Sequence, residues 1–227
     1  MCGRYALWGI DLLGQRFLVI DPMLGFRSKF NIAPATKNPA IVHSAEGCQA
    51  VPMQWGLVPA DSRDPRSTVK AINARAETLA ELPMFRKLLA ANRCIVPANG
   101  FYEWKKAGRD RVPYFFHIRD KALFGFAGLW ETRKDAAGKP VTGYTIVTTK
   151  PNETVARVHD RMPVILYREN EEAWLSGQTL DPVELRRTLE PYPAEEMFVY
   201  RVSAKVGSAS AEGEELIRPV GEGKGWW

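Results

Sequence analysis

The sequence predicts an α+β domain: a mostly antiparallel, barrel-like β-sheet core with short flanking helices. Short runs rich in β-branched and aromatic residues, punctuated by turn residues, recur along most of the chain. Helical patterns are fewer and shorter. They fall between hairpins rather than after every strand, which argues against a parallel sheet of βαβ units.

In chain order, residues 12–19 carry a helical pattern. Residues 40–43 and 48–55 flank Ser44-Ala45-Glu46-Gly47 and read as a hairpin. A helix is expected over 84–91, then strands over 93–96, 100–105 and 113–119, with Ala107-Gly108-Arg109-Asp110 turning the last two. Residues 123–131 and 143–149 form a further pair across the polar segment 132–142, followed by a helix over 153–158. A strand over 163–167, helices over 169–175 and 182–190, and a strand over 197–202 complete the pattern. Asp181-Pro182 places an N-cap and an N1 proline at the start of the last helix.

Composition narrows the function classes. The 227 residues are 45% apolar and 25% charged, ordinary values for a folded domain. One domain over 1–220 is expected, with a glycine-rich tail at 221–227 that ends in two tryptophans. No apolar run reaches the ~18 residues of a membrane span, and the start Met1-Cys2-Gly3-Arg4 lacks a signal-peptide pattern. Three widely spaced cysteines, Cys2, Cys48 and Cys94, form no CxxC pair and suit a reducing, cytoplasmic compartment. His43, His117 and His159 are scattered, which argues against a structural zinc site. No phosphate-binding glycine loop of either common type is present, so nucleotide-driven chemistry is not expected. A pI near 9.1 is compatible with a polyanionic partner.

Four places have residues suited to chemistry. Removal of Met1 would give Cys2 a free α-amine beside its thiol, a 1,2-aminothiol that condenses with aldehydes. Both groups reach nucleophilic forms near neutral pH, and a nearby cation such as Arg4 would favour the thiolate. Ile72-Asn73-Ala74-Arg75-Ala76-Glu77 offers an amide and a planar guanidinium suited to phosphate. In Gly100-Phe101-Tyr102-Glu103-Trp104, strand alternation puts Phe101 and Glu103 on one face and Tyr102 and Trp104 on the other. Desolvation beside rings would raise the Glu103 carboxyl toward acid–base duty. His159, in Val158-His159-Asp160-Arg161-Met162-Pro163, sits at a helix end with a carboxylate beside it.

These segments, with Phe30-Asn31-Ile32-Ala33-Pro34 and Trp55-Gly56-Leu57-Val58-Pro59, occur in an order that resembles the SOS-response-associated peptidase family, whose members process abasic sites in single-stranded DNA. The resemblance covers residues 2 to about 220. It implies that the initiator methionine is lost and that Cys2 links covalently, as a thiazolidine, to the ring-opened sugar aldehyde of an abasic site. It further implies that Asn73 holds the sugar or terminal amine, that Glu103 shuttles protons, and that His159 assists ring opening and reversal. Arg4, Arg75, Arg161 and Arg86 would meet phosphates, and Trp104 would pack against nucleic acid. No metal or organic cofactor is implied. A monomer acting in the cytoplasm, on the nucleoid when bound to DNA, is expected.

The chain departs from the family pattern in two places. Asp61-Ser62-Arg63 stands where aromatic residues are usual, and Pro83 stands where a basic residue often precedes Met84-Phe85, with Arg86 as a substitute. Two alternatives stay open at this level: an N-terminal-nucleophile cysteine peptidase or amidohydrolase, and a non-catalytic reader of modified bases.

Overall fold

A computed structural model describes residues 2–20, 25–57, 71–134 and 138–221. The basic loop at 59–70, with its missing aromatics, and all of the tail after Gly221 lie outside the described residues.

The chain opens with β1 (Arg4–Leu7), α1 (Leu13–Phe17) and β2 (Lys29–Ile32). The hairpin β3 (Lys37–Ser44) and β4 (Gly47–Trp55) follows, then β5 (Asn73–Arg75) and α2 (Pro83–Ala91). Strands β6 (Arg93–Ala98), β7 (Gly100–Ala107), β8 (Asp110–Ile118), β9 (Phe124–Lys134) and β10 (Pro140–Thr149) run almost without interruption. Beyond them lie α3 (Glu153–Ala156), β11 (Met162–Pro163), β12 (Ile165–Leu166), α4 (Arg168–Leu175), α5 (Pro182–Thr188) and β13 (Met197–Arg201).

Five strands close into a barrel in the order β10-β4-β3-β6-β9, with β9 returning to β10. Every pairing around it is antiparallel except the seam, where β10 meets β4 in parallel at Gly143↔Gln54 and Tyr144↔Trp55. Glycine is required at that seam: a Cβ on Gly143 would lie 2.6 Å from the Gly56 carbonyl oxygen. Tyr5, Trp55, Phe126 and Tyr144 pack inside, with Tyr5 edge-on to Trp55 at 5.2 Å. The two buried phenols bond each other at 2.7 Å, so neither hydroxyl is left unsatisfied by burial.

The second sheet runs β13-β8-β7-β1-β2. Its inner face gives Phe101, Phe116, Ile118 and Val199 to the barrel core. Its outer face forms a smaller core in which Ala6, Tyr102 and Phe115 meet Val202, Val206 and Leu216 of the C-terminal segment. The alternation expected along β7 is therefore present, with Phe101 inward and Tyr102 outward. Buried Arg93 ties the last turns of α2 and α4 to the barrel by donating to the carbonyls of Leu89 at 2.7 Å and Trp174 at 2.5 Å, and it also reaches the Gln178 carbonyl just beyond α4 at 2.7 Å. Arg16 clasps Glu171 through both oxygens, at 2.7 and 2.6 Å, and so joins α1 to α4.

The α+β, barrel-centred class holds, with three strands the sequence pattern did not reveal. β1, β2 and β5 are four, four and three residues long and lack the alternation that marks a half-buried strand. Distant partners create them: β1 pairs with β7, and β5 pairs in parallel with β10. The expected helix over 12–19 shortens to α1, because Leu18 turns left-handed at φ 54°. Within the polar segment 132–142, residues 132–134 and 140–142 pair with each other and extend strands β9 and β10. The single late strand over 163–167 divides into β11 and β12, between which Val164 bonds Val147 and Ala127. Asp181 caps α5 as expected, its carboxylate accepting from the Val183 amide at 2.7 Å.

Candidate active site

The start of the chain is placed by β1. Because Arg4 pairs with Tyr102 and Tyr5 with Phe101, Cys2 is carried beside Glu103 of β7. Cys2 is wholly buried, and its Sγ donates to the Arg4 carbonyl at 3.9 Å. Burial pushes the thiol well above its ordinary range, and the Glu103 carboxylate adds to the effect. The expectation that Arg4 favours a thiolate is thereby corrected. Its guanidinium turns away to Asn31 Oδ1 at 2.8 Å and to the carbonyls of Val206 and Gly207 at 2.9 and 3.3 Å.

Asn73 opens β5, whose pairing with Ile146 of β10 fixes its position. Its Nδ2 donates to the Cys2 carbonyl at 2.9 Å. Its Oδ1 is buried with no hydrogen-bond partner among the described residues. A buried amide oxygen of this kind costs about 1–3 kcal/mol, so a donor supplied by a ligand or by a terminal amine would be stabilising there.

Glu103 is 3% exposed, and burial raises its carboxyl to about 7, with the Asp160 charge adding to the shift. His159 Nε2 lies 3.8 Å from Glu103 Oε2. α3, capped by Asn152, ends just before this histidine, and β11 pairs with β10 just after it. The Arg161 amide donates to Nδ1 at 3.1 Å. In the neutral ring that bond leaves the proton on Nε2, facing Glu103. On protonation, Nδ1–H has the Asp160 carboxylate at 3.1 Å as its acceptor. Burial lowers the His159 pKa from its usual value, against the pull of Asp160. Near pH 7 the pair therefore holds a half-protonated carboxyl beside a mostly neutral imidazole.

The structure brings Cys2, Asn73, Glu103 and His159 together and distributes the other expected residues around them. Arg161 grips Glu77 with both ends of its fork, at 2.5 and 2.9 Å, and donates to the Thr148 carbonyl at 2.6 Å. Arg4 is likewise committed to protein acceptors, so a phosphate would compete for both arginines. Arg75 is exposed beyond Asn73, and its field helps Arg161 depress the Glu77 pKa. Arg86 is exposed on α2. Trp104 is half-buried against the outer core. Sequence reasoning missed Glu77 as a partner, although it stands four residues after Asn73. It also missed Arg111, whose field reaches His159. Among the described residues no group of three or more His, Cys, Asp or Glu is arranged to hold a metal, and no helix is long and apolar enough to cross a membrane.

A buried cysteine near the chain start, an asparagine on its carbonyl and a carboxyl–imidazole pair beside it form one cluster on a barrel-and-sheet scaffold. The model of the SOS response associated peptidase (SRAP) family matches residues 1–209, and the chain belongs to that family. It is similar to the abasic site processing protein YoqW of Bacillus subtilis (strain 168), at 40% identity over 96% of this chain and 99% of that one. It is also similar to the abasic site processing protein YedK of Escherichia coli (strain K12), at 31% identity over 97% and 100% of the two chains. A crystal structure of a protein from Bacteroides thetaiotaomicron superposes with a TM-score of 0.83 at 25% identity, covering 96% of this chain and all of that one.

Proposed function

We propose that this protein processes abasic sites in single-stranded DNA by becoming covalently attached to them through Cys2. The observation that carries the reading is the Cys2–Asn73–Glu103–His159 constellation, in which Asn73 grips the Cys2 carbonyl and the Glu103–His159 pair is tuned for proton transfer near neutral pH. The relatives' names as abasic site processing proteins support the substrate class.

The chemistry begins with hydrolysis of the Met1–Cys2 peptide bond, which consumes one water and frees the α-amine. His159, accepting a proton at Nε2 after passing its own to Glu103 or water, assists conversion of the closed sugar to its aldehyde. The amine adds to the aldehyde carbon, and the carbinolamine loses water as protonated Glu103 delivers a proton to the leaving hydroxyl. The Cys2 thiol then adds to the imine carbon while its proton passes to nitrogen through the Glu103 carboxylate. One water is lost overall between aldehyde and thiazolidine. A carboxyl poised near 7 serves both steps, as acid and then as base. The raised pKa of the thiol suits this order: it is held neutral and delivered to an activated imine. The same neutrality weighs against a peptidase that would turn over many substrates through a resting thiolate.

The test is incubation of the Met-processed protein with a single-stranded oligonucleotide bearing one abasic site, followed by denaturing electrophoresis. The expected result is a shifted band that is absent with Cys2→Ala. An equal yield from Cys2→Ala would overturn the reading.

A further inference from the structure

The hairpin formed by β7 and β8 extends beyond the sheet it helps to build. Its tip carries Lys105, Lys106, Arg109 and Arg111, all exposed, and none of them forms an ion pair among the described residues. Lys106 stands directly opposite Arg111 in the antiparallel register. Like charges facing across a strand pair are destabilising. Within the tip only Asp110, in the turn itself, offsets four positive charges, and among the described residues none of the four has an ion-pair partner to relieve the repulsion. The hairpin is also fixed relative to the site. Glu103, two residues before Lys105 on the same strand, is buried in the catalytic constellation, and the positive field of Arg111 is felt at His159.

We propose that the β7–β8 hairpin tip is a backbone clamp, which grips the phosphates of the single strand where it leaves the Glu103–His159 side of the site. This proposal rests on the abasic-site reading and extends it to an element outside the reacting centre. A polyanion is the occupant because it relieves the Lys106–Arg111 repulsion and releases its counterions on binding. A single strand fits the narrow two-stranded tip better than a duplex because its phosphates can follow a curved path. Lys105, Lys106 and Arg109 act on affinity alone, since their side chains are exposed outside the buried pocket where bonds change.

The variant that tests it replaces three of the cations, as Lys105→Gln, Lys106→Gln and Arg109→Gln together, and keeps Arg111, whose field reaches His159. A control, Arg186→Gln with Arg187→Gln, removes two exposed cations from α5. Binding is measured with an oligonucleotide carrying a tetrahydrofuran abasic analogue, which has no aldehyde and so separates affinity from chemistry. The hairpin variant is expected to bind at least about tenfold more weakly near physiological salt. The slope of log K against log salt should become shallower by about 2, from roughly 0.7 for each of the three lost phosphate contacts. The control should change affinity by less than about threefold, and crosslinking at saturating abasic DNA should proceed at the parent rate in both. The hairpin variant should melt no lower than the parent, because it removes a like-charge pair. Equal effects in hairpin and control variants would reduce the hairpin to general net charge and overturn the clamp. A loss of crosslinking at saturation would overturn it in favour of a role in the reacting centre. If the parent protein forms no crosslink at all, the abasic-site reading fails, and the affinity and salt slope still judge the clamp.

Discussion

Two ends of one strand make opposite use of charge. At its buried end, β7 places Glu103 where water is excluded, and the carboxyl moves up to about 7. At its exposed end the same strand holds Lys105 and Lys106 in solvent, opposite a third cation. In the buried region electrostatics decides which atom carries a proton, and a few ångströms matter. In the exposed region it attracts a partner over about a Debye length, and salt weakens it. On the proposed reading, the four buried groups carry the chemistry and affinity draws on a separate basic surface.

The largest expected effect separates the regions outright: Cys2→Ala abolishes the denaturation-resistant adduct while leaving affinity for an unreactive analogue within about twofold. A large affinity loss would make Cys2 part of the binding surface. Glu103→Gln comes next. It keeps the shape and removes the titrating proton, so crosslinking at saturation should slow about 100-fold, the lower range for a general acid–base group. The pH dependence near 7 should disappear with it. A rate within threefold of the parent would reassign proton transfer to His159 or water.

A smaller effect is expected from the support of the pair. The Glu77–Arg161 fork holds the amide that bonds His159 Nδ1. Glu77→Gln should slow crosslinking about tenfold and shift the imidazole nitrogen resonances toward mixed tautomers. Glu77→Asp should recover part of both. An unchanged tautomer signal alongside a slow rate would sink the positioning role.

Stability supplies the smallest and cleanest contrast. A carboxyl whose folded pKa is raised from 4.5 to about 7 binds more protons folded than unfolded across that window. Its contribution is therefore fully present below about 4.5 and is lost as pH rises through about 7. Glu103→Gln should be stabilising above pH 7, by on the order of 2–3 kcal/mol, and near neutral in effect at pH 4. Melting curves at the two pH values check the sign, and equal shifts at both would remove burial as the cause.

Much of this was legible in the sequence, for reasons that differ by residue. The hairpins and the cap at Asp181 are local and follow from turn chemistry. The inward placement of Glu103 follows from the two-residue period of a strand. The gathering of Cys2, Asn73 and His159 was legible only through the ordered motifs, because the strands that assemble them, β1 and β5, exist by virtue of long-range pairing. The inward commitments of Arg4 and Arg161 were hidden for the same reason. Guanidinium groups read as phosphate ligands in a sequence, and only the fold brings Asn31 and Glu77 within their reach.

The most direct measurement is the intact mass of the protein produced in cells, before and after exposure to an abasic single strand and denaturation. The account expects a chain lacking one methionine residue, then an adduct weighing as much as protein plus oligonucleotide less one water. A start residue retained in every molecule, or a mass unchanged by the abasic strand, would contradict it.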